Sequence, residues 1–149
     1  KAGMDTVRFN WRGVGASSGE PSGEAADADE DYGSALEHLA DGVPGGLTAC
    51  GYSFGAATAV RCAAGQPRVT QLVLVAPPPS LVPPEAIAAL GKPVLIVTGE
   101  QDELAPLGPL AAALDAEPEI ELVGIPETDH FFGHGLAELA QAATRWLGR

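Results

Sequence analysis

Apolar runs alternate along this chain with segments whose apolar residues recur every three or four positions. Residues 71–76 and 93–98 are almost continuously apolar, which is typical of strands buried on both faces of a parallel sheet. Shorter apolar or alternating runs at residues 6–10, 47–50 and 120–125 predict three more strands.

In the segments between these runs, apolar residues recur at the spacing of a helix. Residues 24–40 predict a helix with one apolar face, made of Ala25, Ala28, Tyr32, Ala35, Leu36 and Leu39. Shorter helices are predicted over residues 55–64 and 85–90, and two more over residues 107–114 and 136–147. Strands that alternate with helices predict an α/β fold, with a mostly parallel sheet and helices on both of its faces. The length of 149 residues fits a single domain.

The net charge and the cysteine content indicate which partners are disfavoured and which cellular compartment is expected. The net charge of −12 at pH 7 disfavours nucleic acid and anionic membranes, because both would be repelled. Cys50 and Cys62 are the only cysteines, and we predict small buried side chains without a disulfide framework, which fits a reducing cytoplasm. No stretch has the length of a transmembrane helix. No cofactor is expected, and the sequence leaves open whether the protein forms a homo-oligomer.

Acidic residues crowd the first two turns of the long predicted helix, at Glu24, Asp27, Asp29, Glu30 and Asp31. Consecutive acids point in different directions around a helix, so a metal site is disfavoured and a solvated face is predicted. His38, further along the same helix, is predicted to be a surface residue.

The pattern Gly51-Tyr52-Ser53-Phe54-Gly55 lies between a predicted strand and a predicted helix. In that context a G-x-S-x-G turn strains the backbone of its serine and exposes the hydroxyl as a nucleophile. The amide of Phe54 is then expected to donate a hydrogen bond to the oxyanion of the reaction. A second copy of the pattern, centred on Ser17, leads into Pro21 rather than a helix, so we predict an ordinary turn there.

Two later strand ends offer the partners that a nucleophilic serine needs. Asp102 follows the predicted strand at residues 93–98, and His130 follows the one at residues 120–125. Because parallel strands end at one edge of the sheet, we predict that His130 takes the proton of Ser53 and that Asp102 orients the imidazole. His134 is four residues beyond His130, but without a regular helix or a third ligand no metal site is predicted.

Apolar and aromatic residues beside these strand ends are predicted to line a substrate pocket: Tyr52, Pro78, Leu81, Phe131 and Phe132. The segment between the strands at residues 71–76 and 93–98 has room for one short helix only. It is therefore too small for a large cap domain over the site.

Five stretches together resemble the α/β-hydrolases, in particular small, nearly capless bacterial enzymes of the carboxylesterase-like type. They are residues 8–15, residues 23–24 with Asp27, residues 51–55, residues 99–102 and residues 129–132. The resemblance implies a serine hydrolase fold with the triad Ser53, Asp102 and His130.

The resemblance also implies three strands before residue 6, the third of them lying between the strands at 6–10 and 47–50. Residues 1–5 read as the end of a helix capped by Gly3, so we expect further chain to precede them. The second oxyanion donor of such hydrolases lies in the loop after that third strand. The alternative is a shortened chain that pairs its strands differently and is inactive.

The sequence therefore predicts a cytoplasmic serine hydrolase that acts on carboxylic esters or thioesters of small, uncharged acyl groups. A peptidase or another acyl transferase with the same triad is one alternative. A non-catalytic protein that keeps the fold for binding or assembly is another.

Overall fold

Four parallel strands lie side by side in chain order in the computed structural model, which describes residues 4–149. They are β1 (Leu47–Tyr52), β2 (Val69–Val75), β3 (Val94–Gly99) and β4 (Ile120–Ile125). All three pairings are parallel, so the carboxyl ends of the four strands meet at one edge of the sheet. The prediction of these strands and of a parallel sheet is confirmed.

Helices fill the connections between the strands, as the alternating pattern predicted. They are α1 (Ala25–Gly42), α2 (Phe54–Gly65), α3 (Pro84–Ala88), α4 (Leu107–Leu114) and α5 (Leu136–Leu147). Within residues 4–149, no helix combines the length and the apolar character needed to cross a membrane.

Side chains of β2 and β3 point alternately to two core clusters, one on each face of the sheet. The cluster shared with α1 and α2 contains Leu72, Leu74, Val94 and Ile96. The cluster shared with α4 and α5 contains Val73, Leu95 and Val97. Because each fully buried aliphatic side chain stabilises the fold by about 1.5–3 kcal/mol, these two central strands anchor the sheet and fix its edge.

The strand predicted at residues 6–10 is wrong, because this segment has no regular secondary structure. A strand needs a neighbour for its backbone hydrogen bonds, and none lies beside it in the described part of the chain. Val7 and Phe9 instead line a groove of about 480 Å³ together with Thr48 and Cys50 of β1. Gly3, the predicted helix cap, lies outside the described residues.

The prediction that both cysteines are buried is also wrong. Cys50 is exposed because β1 lies at the edge of the sheet and its side chain faces the groove. Cys62 is half-buried on α2, where burial and then the charge of Asp29 raise the pKa of its thiol to about 11.

The acids of α1 are not all solvated, which corrects the prediction for three of them. The guanidinium of Arg12 binds Asp27 at 2.7 Å and Asp31 at 2.8 Å, two residues that share a helix face because they are four positions apart. Asp29 binds Arg61 of α2 at 2.8 Å. The Arg12 contacts fix the loop after residue 10 on α1 and hold the pKa of Asp31 below its ordinary value.

Candidate active site

Ser53 occupies a sharp turn between β1 and α2, with φ 51° and ψ −116°. A non-glycine residue with positive φ is strained, and such strain persists only where the surrounding structure fixes it. The close approach of Gly51 to the first turn of α2 fixes it here. A Cβ on Gly51 would lie 2.5 Å from the amide nitrogen of Ala56 and closer still to the carbonyl of Gly55.

The side chains of Ser53, His130 and Asp102 form a continuous chain of hydrogen bonds. His130 Nε2 lies 2.9 Å from Ser53 Oγ, and His130 Nδ1 lies 2.8 and 3.0 Å from the two carboxylate oxygens of Asp102. With its proton on Nδ1, the imidazole donates to Asp102 and accepts from the serine hydroxyl. The structure thus brings together the three residues that the sequence analysis named.

Asp102 is buried, with 3% of its surface exposed. A buried carboxylate is costly unless hydrogen bonds replace its water. The backbone amides of Leu104 and Ala105 both donate to Asp102 Oδ1 at 2.8 Å, and His130 supplies the third donor. These donors replace the water that the carboxylate loses on burial and hold it in place beside the imidazole.

The loop that carries His130 is fixed against the end of β3. The amide of Gln101 donates to the carbonyl of Thr128 at 2.9 Å, and a Cβ on Gly99 would collide with that same carbonyl. Two residues of the loop, Glu127 and Phe132, have φ of 52°. The loop is therefore compact and strained, and its packing on Gly99 places His130 above Asp102.

The amide of Phe54 belongs to the first residue of α2. The first amides of a helix have no partner within the helix, and they carry its positive dipole end. An amide next to Ser53 can therefore stabilise negative charge that develops on a carbonyl oxygen attacked by the serine.

The predicted pocket residues divide into an exposed and a buried set. Tyr52 is 46%, Leu81 48% and Phe131 76% exposed, so these three present apolar surface around the strand ends. Pro78 is buried, and Phe132, at 3% exposed, packs in the core cluster of α5. That these five residues line a substrate pocket stays a prediction.

Residues 1–90 match the family of serine aminopeptidases, S33. The matched segment is more than half of the chain and includes the turn at Ser53. The chain belongs to this family.

Solved structures of α/β hydrolases are similar to this S33 family member. An α/β serine hydrolase homologue from Coxiella burnetii is 33% identical over 95% of the chain, with a TM-score of 0.76. A candidate α/β hydrolase of unknown function from Agrobacterium tumefaciens is 28% identical over 95% of the chain, with a TM-score of 0.81. A serine hydrolase without a lid from Xanthomonas campestris is 27% identical over 95% of the chain, with a TM-score of 0.71.

The chain spans only part of these relatives. It covers 66% of the Coxiella and Xanthomonas proteins and 68% of the Agrobacterium protein. No curated protein is similar enough to count as a match. The α/β-hydrolase fold and membership of the S33 family are thus shown.

Three sets of contacts in this S33 family member, two of them at the triad, were not predicted from the sequence. One is the pair of amides, from Leu104 and Ala105, on the buried carboxylate. An aspartate two or three residues before such amides is a common local motif, so that signal was available. The others are the Arg12 contacts on α1 and a hydrogen bond from Tyr52 to His130, which join residues far apart in the chain.

Proposed function

We propose that this protein is a serine hydrolase that cleaves carboxylic esters or thioesters of small, uncharged acyl groups. The observation that carries the proposal is the unbroken chain of hydrogen bonds from Ser53 through His130 to the buried Asp102. This order of contacts is what a general base needs in order to activate a serine and to remain correctly oriented.

In the first half of the reaction, Ser53 Oγ attacks the carbonyl carbon of the substrate and His130 Nε2 accepts the hydroxyl proton. The carbonyl oxygen becomes an oxyanion, to which the amide of Phe54 donates. One such donor is worth about 3 kcal/mol of transition-state stabilisation. Asp102 stabilises the imidazolium that forms.

In the second half, the tetrahedral intermediate collapses and the leaving alcohol or thiol takes the proton from His130. The acyl group remains on Ser53 as an ester. Water then repeats the attack, with His130 as the base, and releases the carboxylic acid while Ser53 regains its proton.

Exposed apolar side chains at the carboxyl ends of the strands support this substrate class. The exposed side chains of Tyr52, Leu81 and Phe131 are apolar or aromatic, which favours acyl groups without charge. The connection from β2 to β3 holds only α3, five residues long, so the site has little cover from that side. The Xanthomonas relative is likewise a serine hydrolase without a lid.

Labelling with a fluorophosphonate tests the proposal, since this probe reacts with activated serines. Wild-type protein is expected to carry one label, located on Ser53 by peptide mass spectrometry, and Ser53→Ala is expected to carry none. Ser17→Ala is the matched control, because Ser17 is the centre of the other G-x-S-x-G pattern and its hydroxyl donates to the carbonyl of Asn10. If wild-type protein is not labelled, or if Ser53→Ala is labelled equally, the proposal is refuted. The remaining alternative is then a non-catalytic protein that keeps the fold for binding or assembly.

Cleavage of an N-terminal peptide bond is the second candidate, because the family description names serine aminopeptidases. An aminopeptidase has to hold the substrate's ammonium group, and Asp129, exposed beside His130, is the nearest acid in sequence to the proposed base. Parallel rates on p-nitrophenyl esters and on aminoacyl p-nitroanilides separate the two candidates. Faster turnover of the anilides, reduced by Asp129→Asn, would favour the aminopeptidase.

A further inference from the structure

The hydroxyl of Tyr52 donates a hydrogen bond to the main-chain carbonyl of His130 at 3.0 Å. Tyr52 directly precedes Ser53 at the end of β1. The bond therefore joins this strand end to the backbone of His130, whose side chain is hydrogen-bonded to Ser53. The ring of Tyr52 also lies against the imidazole, with 5.5 Å between ring centroids.

We propose that Tyr52 is a positioning residue, whose hydroxyl fixes the main chain of His130 relative to Ser53 during acyl transfer. The inference rests on the function proposed above. It gives Tyr52 a role that differs from contact with substrate, since the group that acts is the hydroxyl and its partner is the protein backbone.

The strain in the His130 loop explains why such a contact is needed. Glu127 and Phe132 have positive φ, and a segment with this strain keeps its shape only when contacts on several sides hold it. The end of β3 holds one side, through the Gln101 amide and the close approach of Gly99 to Thr128. Tyr52 holds the loop from the side of β1.

The imidazole of His130 has to stay between two partners while it gains and loses a proton. Its side chain is fixed by Ser53 at 2.9 Å and by Asp102 at 2.8 Å, and its backbone is fixed by Tyr52. A misplacement of about 1 Å in a catalytic group lowers rates by about 100-fold. A contact that limits the motion of the His130 backbone therefore acts on the chemical step.

The Tyr52 hydroxyl keeps its proton under ordinary assay conditions. Burial, and then the charges of Asp102 and Asp129, raise the pKa of Tyr52 above its ordinary value of 10. The side chain is nevertheless 46% exposed, so water competes for the same carbonyl. A single hydrogen bond of this kind changes a rate by about 2- to 10-fold.

Tyr52→Phe removes the hydroxyl and keeps the ring, and Tyr32→Phe is its matched control. The hydroxyl of Tyr32 also donates to a backbone carbonyl, that of Cys50, at 2.7 Å, but this contact joins α1 to β1 and does not involve the His130 loop. Tyr52→Phe is expected to react with a fluorophosphonate about 2- to 10-fold more slowly than wild type. Tyr32→Phe is expected to lose stability and to keep the wild-type rate in conditions where it is folded.

Steady-state kinetics on p-nitrophenyl acetate separate positioning from substrate binding. We expect kcat of Tyr52→Phe to fall by that same factor while KM stays within about twofold, because the ring remains. A raised KM with unchanged kcat, or rates equal to wild type, would overturn the inference.

An NMR measurement decides the inference independently of activity. The His130 Nδ1 proton, donated to Asp102, is expected to give a far-downfield proton line in wild type and Tyr32→Phe. In Tyr52→Phe this line should broaden or shift; an unchanged line contradicts the inference. If wild-type Ser53 does not react with the probe, the proposed function fails, and this comparison alone settles the role of Tyr52.

Discussion

Gly51→Ala is expected to abolish most of the reactivity of Ser53 although it adds only one methyl group. The new Cβ would lie 2.5 Å from the Ala56 amide nitrogen, and the carbonyl of Gly55 would be closer still. All of these are backbone atoms at the start of α2, so no side chain can rotate away to make room.

The structure sets the size of the displacement. Ordinary contacts of a Cβ begin at 3.4 Å, so β1 and α2 have to separate by about 0.9 Å to clear the Ala56 nitrogen and by more to clear the Gly55 carbonyl. Ser53 lies within this turn, and its Oγ has to stay 2.9 Å from His130 Nε2. A shift of this size lowers reactivity by about 100-fold, and the forced packing costs about 1–3 kcal/mol of stability.

Two measurements check this prediction: the second-order rate constant with a fluorophosphonate, and urea unfolding. Gly33→Ala on α1 is the matched control, because a Cβ there meets nothing within 4 Å. This control should gain about 0.5–1 kcal/mol, as expected for alanine in place of glycine in a helix, and keep the wild-type rate. If Gly51→Ala reacts within about threefold of wild type, the steric account of the turn is refuted.

Three further predictions concern substitutions of individual side chains. Asp102→Asn should lower kcat by about 10⁴-fold, because the amide favours the wrong tautomer of His130; a fall below about tenfold would exclude Asp102 as the orienting acid. Arg12→Met should destabilise the protein most at neutral pH. Since Arg12 lowers the pKa of Asp31, its stabilisation is present above the ordinary pKa of 3.8 and lost as the pH falls further, so urea midpoints of variant and wild type should converge in acid. Ile96→Ala, at a fully buried position of β3, should cost about 2–5 kcal/mol in urea unfolding, while Leu136→Ala, 63% exposed, should stay within about 0.5 kcal/mol.

The sequence could predict where the three hydrogen-bonded residues meet because each follows a strand in a parallel sheet. A parallel sheet brings the carboxyl ends of its strands to one edge. The order of strands and helices is therefore enough to predict that residues far apart in the sequence lie close together. Ser53 carried a further local signal, the two glycines of its turn. Asp102 and His130 needed the strands before them to be recognised as strands, which their apolar runs made possible.

Other contacts could not be predicted, because they depend on the register and tilt of elements rather than on their order. Arg12 meets Asp31 across 19 positions and Tyr52 meets His130 across 78. No periodicity relates such pairs. The burial of Phe132 could not be predicted either: it follows the exposed Phe131, and its positive φ belongs to a loop conformation that no periodic pattern indicates.

The segment at residues 6–10 shows that alternation of apolar residues is not sufficient to predict a strand. Val7 and Phe9 alternate as in a strand, and Phe9 does pack on Tyr32, with 5.8 Å between ring centroids. Phe9 is thus partly buried while Val7 remains 41% exposed, and the backbone has no neighbouring strand to pair with, because a groove separates the segment from β1. Alternation of apolar residues is compatible with a strand, but a strand also needs a partner about 4.8 Å away. The four confirmed strands each have such a partner among the residues described. The presence of a partner is the physical difference between these four strand predictions and the wrong one at residues 6–10.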